Sequence, residues 1–312
     1  MLQSHSRADG RLLAQYRKTT IQQGVLSKHA SGSALVSFRN DENQDESTSI
    51  LAAVTLQVGQ PMCTAAFPAG RGDIDVTVSS FKEDDSINIS VLQSYLQRTL
   101  DVCAQEALED SISTGEDNHY HPLLLVPAKA AIGLVVTVKI LQNAGNVGDA
   151  ALLACIAALM DTKIPCREHG ISLDEKTGRI WWQPKGYDAE RTKEGNIATG
   201  CRCSERGETQ HKMRFPLLPL PVTVGLYCSE TSELEDKRRN WLVDPSSAEE
   251  CSMSTMITMV VDGHAPEQIL LLDFCPSFGE NNRICSLRTK DLALVAQIAK
   301  ARAEELKRIL VA

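Results

Sequence analysis

The run Gly145-Asn-Val-Gly-Asp149 places two glycines, an asparagine and a carboxylate between an alternating segment, VTVKILQ from Val136, and AALLACIAALM, which is apolar on every side. That pattern predicts a strand, a tight glycine loop and a buried helix. The chemistry open to such a junction is anion binding. Backbone N–H groups at a helix start, added to the positive end of the helix dipole, hold phosphate wherever glycines let the chain come close. Phosphate chemistry also requires an offset for the negative charge and an acidic group near the departing oxygen. This run contains no arginine, serine or threonine. Asp149 suits a first helical turn, stabilising it by roughly 0.3 to 1 kcal/mol, and the same charge repels phosphate. A dinucleotide loop is excluded, because the first Gly-x-Gly pair is missing.

Other constellations have plainer readings. Cys201-Arg-Cys203 with His169 and His211 invites zinc, but Cys-x-Cys is tighter than the usual ligand spacing and a second pair is missing, so no metal is expected. Arg71-Gly-Asp73 is expected to be a surface loop, and Lys237, Arg238 and Arg239 a solvated turn offset by neighbouring acids. Asp244-Pro-Ser-Ser predicts a turn, which Asp-Pro often begins, with Glu249 and Glu250 beyond it. No catalytic residue and no cofactor are assigned.

The elements that must position the loop can be followed along the chain. At 312 residues, with 43% hydrophobic and 23% charged residues, the composition is globular and the length points to two domains. Aromatics are scarce at 4%, so cores rest on Ala, Val, Leu and Ile. A net charge of −8 argues against gripping nucleic acid by bulk electrostatics, so RNA contacts would be local. With no leader-like start, no apolar run of membrane-spanning length and ten scattered cysteines, an intracellular soluble protein with reduced thiols is expected.

GSALVSF (Gly32 to Phe38) and SILAAVTLQV (Ser49 to Val58) predict two antiparallel strands around a charged tip. An irregular Gly, Pro and Asp-rich segment precedes an amphipathic helix carrying Leu92, Tyr95, Leu96, Thr99 and Cys103 behind a Ser90 cap. Residues 166–213 are polar without sustained period and are expected to form an insertion or linker. FPLLPLPVTVGLYC predicts a strand, TMITMVVDG with QILLLDFC a strand pair, and Val295, Ile298, Ala299, Leu306, Ile309 and Leu310 one face of a last helix. Strands followed by helices, twice over, predict two α+β halves with mixed sheets packed against helices.

Four of these strings carry a resemblance. RADGRLLAQYR resembles the opening of RNase PH-type proteins, GSALV their first hairpin, and NAGNVGDAALLACIAAL the glycine loop and central helix of exosome ring subunits; WLVDPSSAEE resembles the matching piece of a second half. The likeness spans about residues 7–165 and 215–262. It implies a ribosomal protein S5 domain 2-like fold, with residues 1–165 as the first RNase PH-like half and 214–312 as the second. Active members cleave RNA by phosphorolysis, holding phosphate at this helix start with an arginine and small hydroxyls. They also carry paired acids in the later segment, where this chain has only Asp244 before the proline. Gly145, Asn146, Gly148 and Asp149 then stand as the remnant of a phosphate loop. The resemblance implies a non-catalytic structural subunit of the exosome core ring, in the nucleus, including the nucleolus, and the cytoplasm. Its partners would be related subunits in a hexameric ring, RNA cap subunits and RNA in the channel, with no membrane. The alternative it leaves is a phosphorolytic 3′-to-5′ exoribonuclease active with a partner subunit. In related ring subunits the loop before the first long helix approaches RNA; here Phe67 to Asp85 has more acids than bases, and Arg71 is the possible RNA contact.

Overall fold

The computed structural model describes residues 7, 9–40, 47–63, 70–81, 87–106, 123–126, 129–165, 171–173, 180–182, 210–212, 217–228, 239–276 and 288–311. In the first half, β1 (Lys18–Gln23), β2 (Gly32–Arg39), β3 (Ser47–Gly59), β4 (Ile74–Ser80), β5 (Leu124–Val126) and β6 (Ala130–Gln142) form one sheet in the order β1-β2-β3-β6-β4, with β5 also against β6. Its pairs are antiparallel except β4 with β6, which run parallel. A parallel pair requires a crossover. Helix α1 (Ile89–Glu106) lies within it and packs on β4.

After β6 come the glycine loop and helix α2 (Val147–Asp161), then short strands β7 (Lys163–Pro165), β8 (Ile171–Leu173), β9 (Ile180–Trp182) and β10 (Gln210–Lys212). The second half holds β11 (Pro219–Cys228), β12 (Arg239–Val243), the short helix α3 (Ser247–Ser252), β13 (Thr255–Asp262), β14 (Ile269–Pro276) and helix α4 (Thr289–Val311). Its sheet is antiparallel, ordered β12-β11-β13-β14.

Length points to two domains, but the halves share one continuous buried cluster. Helix α2 is the reason. Every residue from Asp149 to Leu159 is buried, and the helix packs on β2 and β3 of one sheet and on β11 of the other. Alanines at 150, 151, 154, 157 and 158 favour the helix and allow both sheets to approach it. Such an all-round apolar helix has no solvent face to keep.

Several local expectations need correction. The segment before α1 is not wholly irregular, because Ile74–Ser80 forms β4, with Ile74 and Val76 buried in alternation with exposed Asp75 and Thr77. The cap of α1 is Asn88 rather than Ser90: Val91 N–H donates to Asn88 Oδ1 at 3.2 Å, and Ser90 lies inside the helix. Among the described residues of 166–213, β8, β9 and β10 give the expected insertion some strand, and β10 returns to pair with β7. Nor is Arg71-Gly-Asp73 a surface loop, since Arg71 and Gly72 are buried and a Cβ on Gly72 would sit 2.4 Å from the Ile132 carbonyl oxygen.

Candidate functional site

The glycine loop sits beneath the turn that joins β12 to α3. Gly145 has φ 95°, and a Cβ there would lie 2.4 Å from Ser246 C and Ser247 N, so only glycine allows this close approach. Ser247 N–H donates to the Ala144 carbonyl at 3.1 Å, which joins the halves directly. The next residue, Asn146, takes φ 55°, a conformation that asparagine tolerates better than most.

Three amides at the entry of the loop already have acceptors within the chain. Ala144 N–H donates to Thr48 Oγ1 at 3.1 Å, Gly145 N–H to Asn143 Oδ1 at 2.9 Å, and Asn146 N–H to Glu250 Oε1 at 2.6 Å. Glu250 thus sets its carboxylate against an N–H of the helix entry, and burial first of all raises its pKa. The second carboxylate, Asp149, is turned into the protein. Its Oδ1 accepts from the Thr223 hydroxyl at 2.7 Å, and its Oδ2 from Thr223 N–H at 2.9 Å and Asn146 Nδ2 at 3.1 Å. Burial raises this carboxyl to about 6, against the opposing effect of those hydrogen bonds. Asp149 does occupy the first helical turn, and it also ties α2 to β11 of the other half.

The turn reading of Asp244 was too small. At 2% exposure and φ 48°, this residue is the hub of an ion-pair knot. Its Oδ1 accepts from Arg17 Nη2 at 2.7 Å and Asn146 Nδ2 at 3.0 Å. Its Oδ2 accepts from Arg11 Nη1 at 2.8 Å and from Arg17 N and Nε, each at 2.9 Å. Burial alone would raise the carboxyl pKa, but the Arg17 hydrogen bonds and the Arg17 and Arg11 charges outweigh it and hold the group well below the usual carboxylate range. Arg17 also donates to the carbonyls of Ala144 and Gly145 at 3.1 and 3.0 Å. Arg7 forks onto Glu249 and donates to the Val243 and Asp244 carbonyls at 2.8 Å. Glu249 therefore returns to the site rather than lying beyond it, and its backward bond to Ser246 N–H at 2.8 Å caps α3.

Sequence reasoning assigned no role to Arg7, Arg11 or Arg17. The available signal was their spacing in the opening segment, Arg7 to Arg17, beside a nearly uncharged stretch. Of the predicted site residues, the structure brings Gly145, Asn146 and Asp149 together with Asp244, while Gly148 lies half-buried beside Tyr95. Arg71 stands apart from them. It is 8% exposed, its Nη2 is 3.5 Å from Met62 Sδ, and its backbone bridges Met62. Cys201, Cys203, His169 and Lys237 to Arg238 lie outside the described residues, as do the side chains of His211 and Arg239. No His, Cys, Asp and Glu cluster fit for a metal occurs among the described residues, and no helix there is long and apolar enough to cross a membrane.

Comparison with known proteins fits this architecture. Residues 15–165, ending with β7, match the model of the 3′ exoribonuclease family, domain 1. This is an RNase PH fold. Its likeness to solved structures runs almost end to end: the Archaeoglobus fulgidus exosome with RNA bound to the active site superposes with a TM-score of 0.61 at 23% identity, covering 97% of this chain and 92% of that one. Rice (Oryza sativa) Rrp46 gives 0.56 at 15% identity, covering 97% of both chains. Among curated relatives, the exosome complex component Rrp42 of Methanothermobacter thermautotrophicus is 28% identical over 172 residues, 54% of this chain and 56% of that protein. The alignment thus spans a little over half of that relative. The Rrp42 of Thermococcus onnurineus is 25% identical over 271 residues, covering 84% of this chain and 77% of that protein. Within the RNase PH fold, the three arginines and Asp244 form the seam between halves.

Proposed function

We propose that the chain is a non-catalytic structural subunit of an exosome-type ring of RNase PH folds, supporting 3′-to-5′ RNA processing and degradation by the assembly. One observation carries this reading: the loop that would receive phosphate is occupied from within, with a carboxylate at its helix entry. Thr48, Asn143 and Glu250 take the amides of Ala144, Gly145 and Asn146, and Arg17 is spent on Asp244 and on loop carbonyls. A bound phosphate would have to displace a carboxylate and break the contact between the halves. The resemblance to exosome components supports related subunits in a hexameric ring, with cap subunits and RNA in the channel, as the partners. Within the family, the ring subunit this chain resembles most is ribosomal-RNA-processing protein forty-three, and by that reading it acts in the nucleus, nucleolus and cytoplasm.

The test is phosphorolysis. Purified chain incubated with RNA, magnesium and inorganic phosphate is expected to release no nucleoside diphosphate, and Asp149→Arg is expected to create no activity, because one cation does not assemble a site whose partners are absent. Phosphate-dependent shortening of RNA that is lost on changing Asp149 would overturn the reading in favour of an exoribonuclease. Co-expression with other RNase PH-like subunits is expected to give a defined heteromeric complex, whose members mass identification names.

A further inference from the structure

A second, open site of the opposite charge lies on the other face of the arginine knot. A cleft of about 240 Å³ opens between the N-terminal segment and the edge of β1 and β2. Lys18 and Arg39 line it, and they are direct partners across the β1–β2 ladder. Like charges placed directly opposite on one sheet face repel. Both side chains are exposed, and neither is ion-paired among the described residues. The wall behind them holds Arg11 and Arg17, whose charges are balanced by Asp9 and Asp244. Asp9 is the one carboxylate among the lining residues, and Arg11 Nε holds it at 2.7 Å. Among the described residues, Lys18 and Arg39 are thus the uncompensated charges of the cleft.

We propose that this cleft is a phosphate-type oxyanion site, in which Lys18 and Arg39 clamp one tetrahedral group. Gln15, also at the rim, accepts Leu12 N–H through Oε1 at 3.1 Å, which leaves its amide nitrogen to donate outward. An ammonium, a guanidinium and an amide supply donors from separate directions. That set suits the spread acceptors of a phosphate better than the two oxygens of a planar carboxylate. An anion between Lys18 and Arg39 converts their repulsion into two charge-assisted contacts. Free phosphate and the backbone phosphate of RNA share this chemistry. The site is independent of the ring reading, since Lys18 and Arg39 lie outside the glycine loop.

The experiment compares the full chain with Lys18→Ser/Arg39→Ser, both positions being exposed, and with the charge-conserving pair Lys18→Arg/Arg39→Lys. Inorganic phosphate is titrated against chloride at matched ionic strength while the thermal midpoint is followed, with circular dichroism confirming that each variant is folded. Phosphate is expected to raise the midpoint of the wild type and of the charge-conserving pair, and to lose that effect in the serine pair. A single-stranded poly-A oligonucleotide, titrated at two salt concentrations, separates the sources. If RNA backbone occupies the cleft, the serine pair lowers the log-log salt slope by about 0.7, the share of one phosphate on a single strand. An unchanged slope with phosphate stabilisation intact assigns the site to free phosphate. Equal midpoints in phosphate and chloride, or stabilisation by a polyglutamate peptide without any by phosphate, overturn the proposal.

Discussion

Replacing Asp149 by Asn deletes a buried charge while every hydrogen bond can be redrawn. An amide oxygen can accept from Thr223 N–H and Asn146 Nδ2 as Oδ2 does now. The amide nitrogen can donate to the Thr223 hydroxyl, which then passes its own proton to Thr258 Oγ1, 2.8 Å away. Folding lifts this carboxyl from 3.8 to about 6, chiefly through burial. A carboxyl raised on folding favours its protonated form. Its stabilising contribution is therefore complete below 3.8 and is lost as pH rises through about 6. At about 1.4 kcal/mol per pH unit, the ionised group costs the fold about 3 kcal/mol at neutral pH. Losing the first-turn carboxylate gives back roughly 0.3 to 1 kcal/mol of dipole stabilisation. The net expectation is that Asp149→Asn is more stable than wild type by about 2 kcal/mol at pH 7.5, and equal to it near pH 4. Urea unfolding of both chains across pH 4 to 8 measures the difference, in which shared titrations such as Asp244 cancel. A variant less stable than wild type at pH 7.5, by an amount that does not change with pH, would show that the carboxylate is held by its bonds and not penalised by burial.

Asp244→Asn is expected to act the other way, because it leaves Arg17 buried without its counter-charge and Arg11 with Asp9 alone. Breaking such a pair costs about 3 to 5 kcal/mol, read as a lower urea midpoint or loss of soluble chain. The same carboxyl, depressed on folding, contributes stability above its ordinary range that is lost as pH falls, so acid unfolding of wild type should be steeper than that of Asp244→Asn. Gly145→Ala combines a positive φ with a backbone clash and is expected to destabilise by about 3 kcal/mol or more; a midpoint within 1 kcal/mol of wild type would contradict the seam geometry. Cys155 is fully buried in α2 and burial pushes its thiol up to about 12, so iodoacetamide should label Cys63 and Cys251 in the native chain and reach Cys155 only after unfolding.

What could be seen in the sequence was local. The alternation of β2, β3 and β13, the apolar run of α2 and the spacing of α1 appear as strands and helices because each pattern lies within a single element. The face predicted for α4 held at Val295, Ala299, Leu306 and Leu310, while Ile298 and Ile309 are half-buried. Arg302, buried on that helix, was not expected; its guanidinium lies 4.1 Å from the Tyr16 ring centroid and donates to Thr19 Oγ1 at 2.7 Å. The site escaped for the same reason. Arg11 and Arg17 meet Asp244 across more than 220 residues, so nothing near Asp244 distinguishes an ion-pair hub from an Asp-Pro turn. The absence of a cation from the loop was legible; the carboxylate that takes the Asn146 amide, Glu250, was not, because it arrives from the other half.

The burial of α2 by both sheets also sets an order in time. Its first-half neighbours β2 and β3 are made before it, but β11 begins roughly sixty residues after Asp161. At about 5 to 20 residues per second, a growing chain carries the helix with one flank bare for roughly 3 to 12 seconds. Asp149, meanwhile, has no Thr223 to bond, and the three N-terminal arginines have no Asp244. During that interval the nascent first half is a surface for chaperones, and any synonymous change that slows translation between residues 162 and 219 lengthens it without altering a single contact of the finished fold.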